Sequence, residues 1–287
     1  MNVSVSQMEK LLGCPAQWLK MYREKQKGLN GYHLGLGTSV HAAVEHNLQQ
    51  KITSGDDLPL GDLLDAFDTA WANEQGGLDR FGRPKQPIYW YDNALGRDVT
   101  FEEVRASGHK MVAAYHTELS PLLQPTATEQ AVRAAVPGSP GDFFTGFVDA
   151  VGVSNHPKYK GKPVIVDHKT GKAAWKPGKA ANSLQAKGYA WEHWYRTGQL
   201  IEDFHFMIVL QPLFGREARV QFEPVRLTEE HLVYFERQLV ECVKLAKGEA
   251  FPMRPEYEWH QYCPFRADCT PWEVVDVEVE DGPEVVL

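Results

Sequence analysis

The apolar pattern of the chain changes period several times, and each change marks an element. Residues 143–153 and 163–169 are dense in Val, Ile and Phe and read as strands. Between them, NHPKYKGK (155–162) is polar, with Pro and Gly, and reads as a hairpin loop. Residues 129–136, 203–211 and 217–225 read as further strands. A helical period runs through 4–26, with Met8, Leu11, Leu12, Trp18, Leu19 and Tyr22 apolar and Gly13-Cys14-Pro15 as an interruption. Residues 36–50 form a second predicted helix, on which Gly37, His41 and Glu45 share one face. Thr100-x-x-Glu103 is a capping-box signature for a helix over 101–119. Asn182 is the predicted cap of a helix over 182–197, and Thr228 starts one that runs to 247. Residues 51–98, polar with Gly, Pro and several aromatics, are expected to be a helical insertion with loops. No repeat or low-complexity linker divides the chain. The expectation is one α/β domain over 1–270: a central mixed β-sheet flanked by helices, with helical insertions.

Composition narrows this picture. In 287 residues, 43% hydrophobic, there is ample material for a core. No apolar run approaches the ~20 residues of a membrane span. The opening MNVSVSQMEK has no basic stretch followed by an apolar one, so a cytoplasmic location without a signal peptide is expected. In that compartment the four cysteines are not expected to form structural disulfides. Residues 271–287 carry six acids and no bases and read as a separate acidic tail.

A net charge of −8 argues against indiscriminate coating of nucleic acid. Its distribution argues differently. Lys158, Lys160, Lys162, Lys169, Lys172, Lys176, Lys179 and Lys187 are interrupted by Asp167 alone. Phosphate contacts need local positive charge, so this segment is the expected DNA-facing one. The competing reading is a solvated lysine-rich loop.

The same segment carries the candidate chemistry. Asp149 and Asp167 lie nearly equidistant from the middle of the predicted hairpin loop. In an antiparallel pair such residues face each other, with Cβ atoms about 4.5–5.5 Å apart. Lys169 shares a strand face with Asp167, about 6–7 Å further along. Paired carboxylates repel unless a cation lies between them. Oxygen ligands of this kind suit magnesium or manganese. Taken singly, each of these residues is as well explained as a turn former or a surface ion pair.

Further motifs in the same order resolve that tie. Asp149, then Asp167-His168-Lys169, then Gln185-x-x-x-Tyr189 follow one another downstream of Gly37-x-x-x-His41 and the opening SVSQMEKLLGCPAQWLKMY (4–22). This series resembles the PD-(D/E)xK nuclease superfamily, and within it the RecB-like branch that includes iron–sulfur exonucleases and CRISPR-associated spacer-acquisition nucleases. The resemblance runs from Ser4 to Cys269 and implies a restriction-endonuclease-like core. It also implies a metal on Asp149, Asp167, His41 and the backbone carbonyl of His168. Lys169 would then orient the attacking water or meet charge building on the phosphate. Gln185 and Tyr189 would hold the substrate backbone or order the lysine, and Glu129 would add an outer or second-metal carboxylate. The His168 side chain projects to the other sheet face and is not expected to be catalytic.

The implied activity is a metal-dependent DNA exonuclease, acting on single strands or ends in recombination, repair or phage DNA processing. No Gly-x4-Gly-Lys-Ser/Thr motif supplies an ATP-driven motor. A separate helicase, annealing protein or integrase is therefore the expected partner. A CRISPR adaptation nuclease is the alternative within the enzyme class. A catalytically inactive DNA-binding scaffold, or a structural metal protein built on the cysteines, is the alternative outside it.

Iron–sulfur members of the branch use one N-terminal cysteine and three C-terminal ones spaced Cys-x2-Cys-x5-Cys. Cys14 fits the first. At the other end His260 stands where the first of the triplet belongs, followed by Cys263 and Cys269 at the family spacing. Three readings stay open for this C-terminal metal-stapled lobe. They are a [4Fe–4S] cluster with one histidine ligand, zinc on a Cys3His set, and no metal. Cys242 reads as a buried small hydrophobe, or as a replacement for His260.

Overall fold

The computed structural model describes residues 1–269 apart from 27, 29, 79–81, 83, 93, 94, 213–215, 258, 259, 261 and 262. The acidic segment 271–287 lies outside the described residues.

The chain opens with a short strand β1 (Asn2–Val3), helices α1 (Val5–Gly13) and α2 (Pro15–Trp18), and a π-turn over Leu19–Arg23. Cys14 breaks the helix with extended backbone and Pro15 opens the next one, as the Gly-Cys-Pro signal predicts. Strand β2 (Asn30–Gly31) leads into α3 (Tyr32–Ser54), which begins before and ends after the predicted 36–50. Within 51–98, therefore, 51–54 complete α3. Among the described residues, the rest holds one helix, α4 (Leu60–Glu74), and the two-residue strands β3 (Ile88–Tyr89), β4 (Tyr91–Asp92) and β5 (Arg97–Asp98). Helix α5 (Phe101–Ala114) starts at Thr100, and both halves of the predicted capping box are made.

The sheet follows: β6 (Leu123–Ala135), β7 (Phe143–Ser154), β8 (Pro163–Gly171), then α6 (Lys179–Asn182) and α7 (Leu184–Thr197), and β9 (Asp203–Leu210) and β10 (Arg219–Arg226). Helices α8 (Glu229–Lys247) and α9 (Arg266–Cys269) complete the described chain. Strand order is β6-β7-β8-β9-β10, antiparallel except for the parallel β8/β9 pair, and β1 joins β7 in parallel. This is the expected mixed sheet flanked by helices.

The inner strand β9 is buried along its whole length, which fits its apolar-rich sequence DFHFMIVL, in which only Asp203 and His205 are polar. Its side chains divide between two cores. Phe204, Phe206 and Ile208 pack with α1, α7 and α8; Met207 and Val209 pack with α3, α4 and α5. Gly188 lets α7 lie close on α8, because a Cβ there would stand 2.7 Å from the Phe235 ring. Ser183, not Asn182, caps α7, accepting from the Gln185 and Ala186 amides. Asn182 ends the preceding short helix α6.

Candidate active site

The hairpin symmetry inferred from sequence is realised, but pairing stops one step before the acids. Strands β7 and β8 are in register from Val153↔Pro163 to Ala150↔Val166, and Asp149 and Asp167 are the next residues on each. On the same edge of β7, β1 takes over only at Phe143 and Phe144. Residues 145–149 therefore have no strand partner on that edge among the described residues. The sheet opens there, with the Asp149 carboxylate capping the gap: its Oδ2 accepts from the His168 amide at 2.7 Å. Thr128 Oγ1 donates to the Asp149 carbonyl at 2.8 Å and steadies the other edge.

Asp167 is 1% exposed. Its carboxylate meets Lys169 Nζ at 2.6 Å, and Gln185 Nε2 donates to its other oxygen at 2.6 Å. The same Gln185 amide reaches Tyr189 Oη at 3.3 Å, since residues four apart share a helix face. Burial pushes the Asp167 carboxyl up to about 7, helped by the nearby Asp149 and Glu129 charges and opposed by Lys169. Burial also pushes Asp149 upward, but the His168 imidazole, 3.7 Å away, together with the charges of His41 and Lys169, more than offsets it, and its carboxyl is held below the usual range. Two facing carboxylates thus differ sharply in proton affinity, which is the signature of a site built for a cation or for proton traffic.

His41 arrives from the other side of the sheet on α3. Its Nδ1 lies 3.7 Å from Asp149 Oδ2. Gly37 makes this approach possible: a Cβ there would stand 2.8 Å from Thr170 Oγ1 on β8. Burial lowers the basicity of His41, so its imidazole is available as a neutral ligand. The His168 ring packs edge-on against Tyr115 at 5.5 Å and is buried on the α3 side, the face opposite Asp167. Glu129 stands opposite Asp149 in the β6/β7 register, between Thr128↔Ala150 and Gln130↔Val148. Its backbone is left-handed, φ 46°. For a residue with a side chain this costs of order 1–3 kcal/mol and clusters at functional sites. It turns the carboxylate within electrostatic range of Asp167.

Beside Lys169, Gln185 and Tyr189 opens a cleft of about 580 Å³, walled by α1 on one side and α6–α7 on the other. Sequence reasoning missed two of its members, Glu9 and Trp175. Glu9 projects from α1, and burial raises its carboxyl against the pull of Lys169 and Lys179. Trp175 is fixed by a two-point clamp, its N–H donating to Gln221 Oε1 at 2.8 Å and its carbonyl accepting from Gln221 Nε2 at 3.1 Å. Lys179, one of the basic segment, lies over the Trp175 ring at 4.5 Å. The other lysines divide. Lys158, Lys160 and Lys162 sit at or beside the β7–β8 turn, the far end of these strands from the acids. Lys187 is buried and bound to the Ala181 and Ser183 carbonyls, so it faces no ligand. Of the lysine-rich segment, Lys169 and Lys179 line this cleft.

The chain ends meet through several contacts. Arg254 donates to the Leu12 carbonyl at 3.1 Å, Trp18 stacks on Phe251 at 5.7 Å, and Lys20 pairs with Asp268 at 2.7 Å. Cys14 is buried; Cys263 and Cys269 are half-buried. Burial raises the Cys263 and Cys269 thiols, and each is raised further by Cys14, which places the three within electrostatic range of one another. His260 Nε2 is buried with no hydrogen-bond partner among the described residues. An orphaned imidazole nitrogen and three neighbouring thiols are a donor set that suits a soft metal. Among the described residues, however, no three His, Cys, Asp or Glu side chains stand close enough as they are to enclose an ion. Cys242 takes no part: it packs in the core of α8, where burial pushes its thiol up to about 11.

No helix among the described residues is long and apolar enough to cross a membrane. The family model of the PD-(D/E)XK nuclease superfamily matches residues 2–270. Among curated proteins, none is similar enough in sequence to count as a relative. Among solved structures, an Eubacterium rectale protein carrying the provisional name exonuclease superposes with a TM-score of 0.51 at 13% identity, over 88% of this chain and 84% of that one. At that identity the likeness speaks for the fold. The protein SSO0001 aligns over 94% of this chain and 86% of its own at 11% identity, with a TM-score of 0.39.

Proposed function

Because this chain belongs to the PD-(D/E)XK nuclease superfamily, we propose that it is a divalent-metal-dependent deoxyribonuclease that removes nucleotides from DNA ends, with single-stranded DNA as its substrate. One observation carries the reading. A carboxylate buried to 1% exposure, with a lysine and a glutamine on it, stands next to a second carboxylate where the sheet parts. Such an arrangement is too costly to keep for stability alone. The cleft of about 580 Å³ between α1 and α7 favours a single strand over a duplex.

Asp149, Asp167, His41 and the His168 carbonyl are the residues that would hold Mg²⁺ or Mn²⁺. The ion, when bound, supplies a Lewis acid for the phosphate and a water of lowered pKa. The raised proton affinity of Asp167 fits this use, since a buried acid short of positive charge gains most from a cation. Lys169, already on Asp167, is placed to orient the attacking water or to meet negative charge growing on the phosphate. Gln185 fixes the Asp167 carboxylate, and Tyr189 holds Gln185 from the next turn. Glu129 adds a third carboxylate for a second ion. Lys179 and Trp175 give the strand a cation and a flat ring in the cleft.

At the chain ends we favour a [4Fe–4S] cluster on Cys14, Cys263, Cys269 and His260, with zinc on the same four as the competing occupant. Anaerobic purification separates them: a brown protein with a broad visible band supports iron, and a colourless one with stoichiometric zinc defeats it. The cell setting that suits the reading is cytoplasmic, beside a separate helicase, annealing protein or integrase. The test of the main reading is degradation of 5′- and 3′-labelled single and double strands with manganese, with and without chelator. Loss of label from single-stranded ends that chelator stops is the expected result. Undigested DNA at every metal tried defeats it and leaves a DNA-binding scaffold.

A further inference from the structure

A second cavity, about 500 Å³, lies on the other face of the sheet from the Lys169 cleft. Its floor is at the carboxyl ends of the parallel pair β8/β9, where Lys172 and Gln211 emerge. Crevices at that end of parallel strands are where α/β proteins bind ligands, and the volume is in the small-ligand range. Tyr32 and Asp92 are buried in this floor; the tyrosine hydroxyl donates to the Asp92 carboxylate, and Lys172 Nζ reaches the same carboxylate at 2.9 Å. The wall is α5, with Val104 apolar and Ser107 polar. Ser107 Oγ is buried and has no hydrogen-bond partner among the described residues. Lys110 lines the cavity too, its Nζ donating to the Arg216 carbonyl at 2.9 Å and lying 3.3 Å from Glu217 Oε1. The nuclease chemistry proposed above uses none of these groups.

We propose that this cavity receives one unpaired nucleotide of the strand engaged at the acidic centre, an inference that rests on the DNA-nuclease reading. An apolar wall with a stranded hydroxyl and a floor carrying both donors and acceptors suit a nucleobase face and edge. Lys172 and Lys110, both partly exposed though paired with Asp92 and Glu217, are the cations from which a phosphate would draw a contact. The position fits as well. Lys172 follows Asp167 by five residues of extended chain, about 16 Å. Tyr32 precedes His41 by nine helical residues, about 13–14 Å. A stacked strand advances about 3.4 Å per nucleotide, so the cavity, on the other face of the sheet, is reached no sooner than about four or five nucleotides from the cut. A strand that spans both sites must therefore exceed that length. This gives the enzyme a measure of its substrate.

The test fills the cavity with Ser107→Trp and, as a second filler, Val104→Phe, each checked for an unchanged circular dichroism spectrum. Two filled variants on different turns of α5 guard against one that fails to fold. Deoxyadenosine monophosphate is added in chelator, so that no metal links it to the acidic centre. At a hundredfold excess over its Kd it raises the wild-type Tm by about 5 °C, and it does not raise that of a filled variant. In a cleavage assay, the advantage in KM of a 12-nucleotide strand over a 3-nucleotide strand falls about tenfold in the filled variants. Equal nucleotide shifts in wild type and filled variants, or none in either, overturn the proposal, as does an unaltered length dependence. The two readings fail separately. A protein that cuts DNA with no nucleotide shift loses the cavity and keeps the nuclease. A protein that shifts with nucleotide and cuts nothing loses the nuclease and keeps the cavity.

Discussion

The acidic centre and the cysteine end were marked by the same kind of signal, a few polar residues at fixed spacing, but the chain secures them differently. Asp149, Asp167 and Lys169 ride on strands whose register is set by a hairpin, and Gln185 and Tyr189 ride on one capped helix. Their positions follow from regular backbone and are locked by hydrogen bonds of 2.6–2.7 Å. Cys14, His260, Cys263 and Cys269 come from segments about 250 residues apart that touch through the Trp18–Phe251 stack, the Lys20–Asp268 pair and hydrogen bonds from Arg254 to Leu12 and from the Ala16 amide to Pro252. The centre has a second source of order and needs no ion to stay assembled. The cysteine end has little besides what an ion would add.

The largest effect that separates the two is on chemistry. Asp167→Asn keeps the shape and removes the buried charge, so degradation falls by about 10³-fold or more. Its melting temperature stays level or rises, because an expensive buried charge is gone. Lys169→Ala loses as much activity but melts earlier, since Asp167 is left without its cation. Activity in the presence of manganese, with thermal melts on the same samples, checks both. Full activity in Lys169→Ala would falsify the assignment of the centre.

Cys263→Ala inverts that pattern. If an ion ties Cys14 to the C-terminal cysteines, cutting the tie releases a loop of about 250 residues. The upper limit of the stability lost is about 5 kcal/mol. The expected result is a protein that melts lower and loses bound metal, with cleavage below the melting transition still measurable. Metal analysis beside a denaturant titration reads it. A variant as stable as wild type shows that the surface contacts suffice.

What the sequence revealed divides along the same line. The facing of Asp149 and Asp167 was legible because hairpin symmetry is local: both are counted from one turn. The strand at β9 was legible from its apolar-rich run, but its division between two cores was not, because it depends on which helices cover each face. The parting of the sheet was not, because it depends on β1 pairing with Phe143 and Phe144, a contact between residues 2–3 and 143–144 that no local period encodes. Nor was the left-handed backbone of Glu129, which looks in sequence like any strand residue. Lys187 was misread for a related reason: nothing local tells a lysine bound to carbonyls of its own helix start from one facing solvent. Residues 51–98 had no dominant period, and the described residues there hold the end of α3, helix α4 and short strands.

A smaller, graded effect tests how finely the centre is set. Gly37→Ala places a methyl 2.8 Å from Thr170 Oγ1, so α3 must lift from β8 by a few tenths of an ångström and carry His41 with it. Misplacement on that scale lowers activity by about tenfold. Alanine is the better helix former by about 1 kcal/mol, so stability holds or improves. Activity down with stability up is a signature that plain unfolding does not produce. The double variant Gly37→Ala/Thr170→Ala removes the clash and recovers most of the loss in a steady-state assay. If the double variant is no better than the single, His41 is not placed by this contact.

The smallest effect belongs to the cysteine end and decides what holds it. Lys20 and Asp268 form an ion pair 2.7 Å long, and Lys20 lies over the Phe265 ring at 5.4 Å. Asp268 is 55% exposed, so water and salt screen the pair. Exposed pairs of this kind contribute well under about 1 kcal/mol. Asp268→Asn is therefore expected to move the melting temperature by a degree or two at low salt and by nothing measurable at high salt. The comparison with Cys263→Ala is the informative quantity. A large cysteine effect beside a negligible aspartate effect means that ligand bonds close the chain ends, since the ion pair sits on the same short helix as Cys269. Equal and small effects mean that the ends are held by packing of Trp18 on Phe251 and by Arg254 on Leu12, with the thiols as passengers.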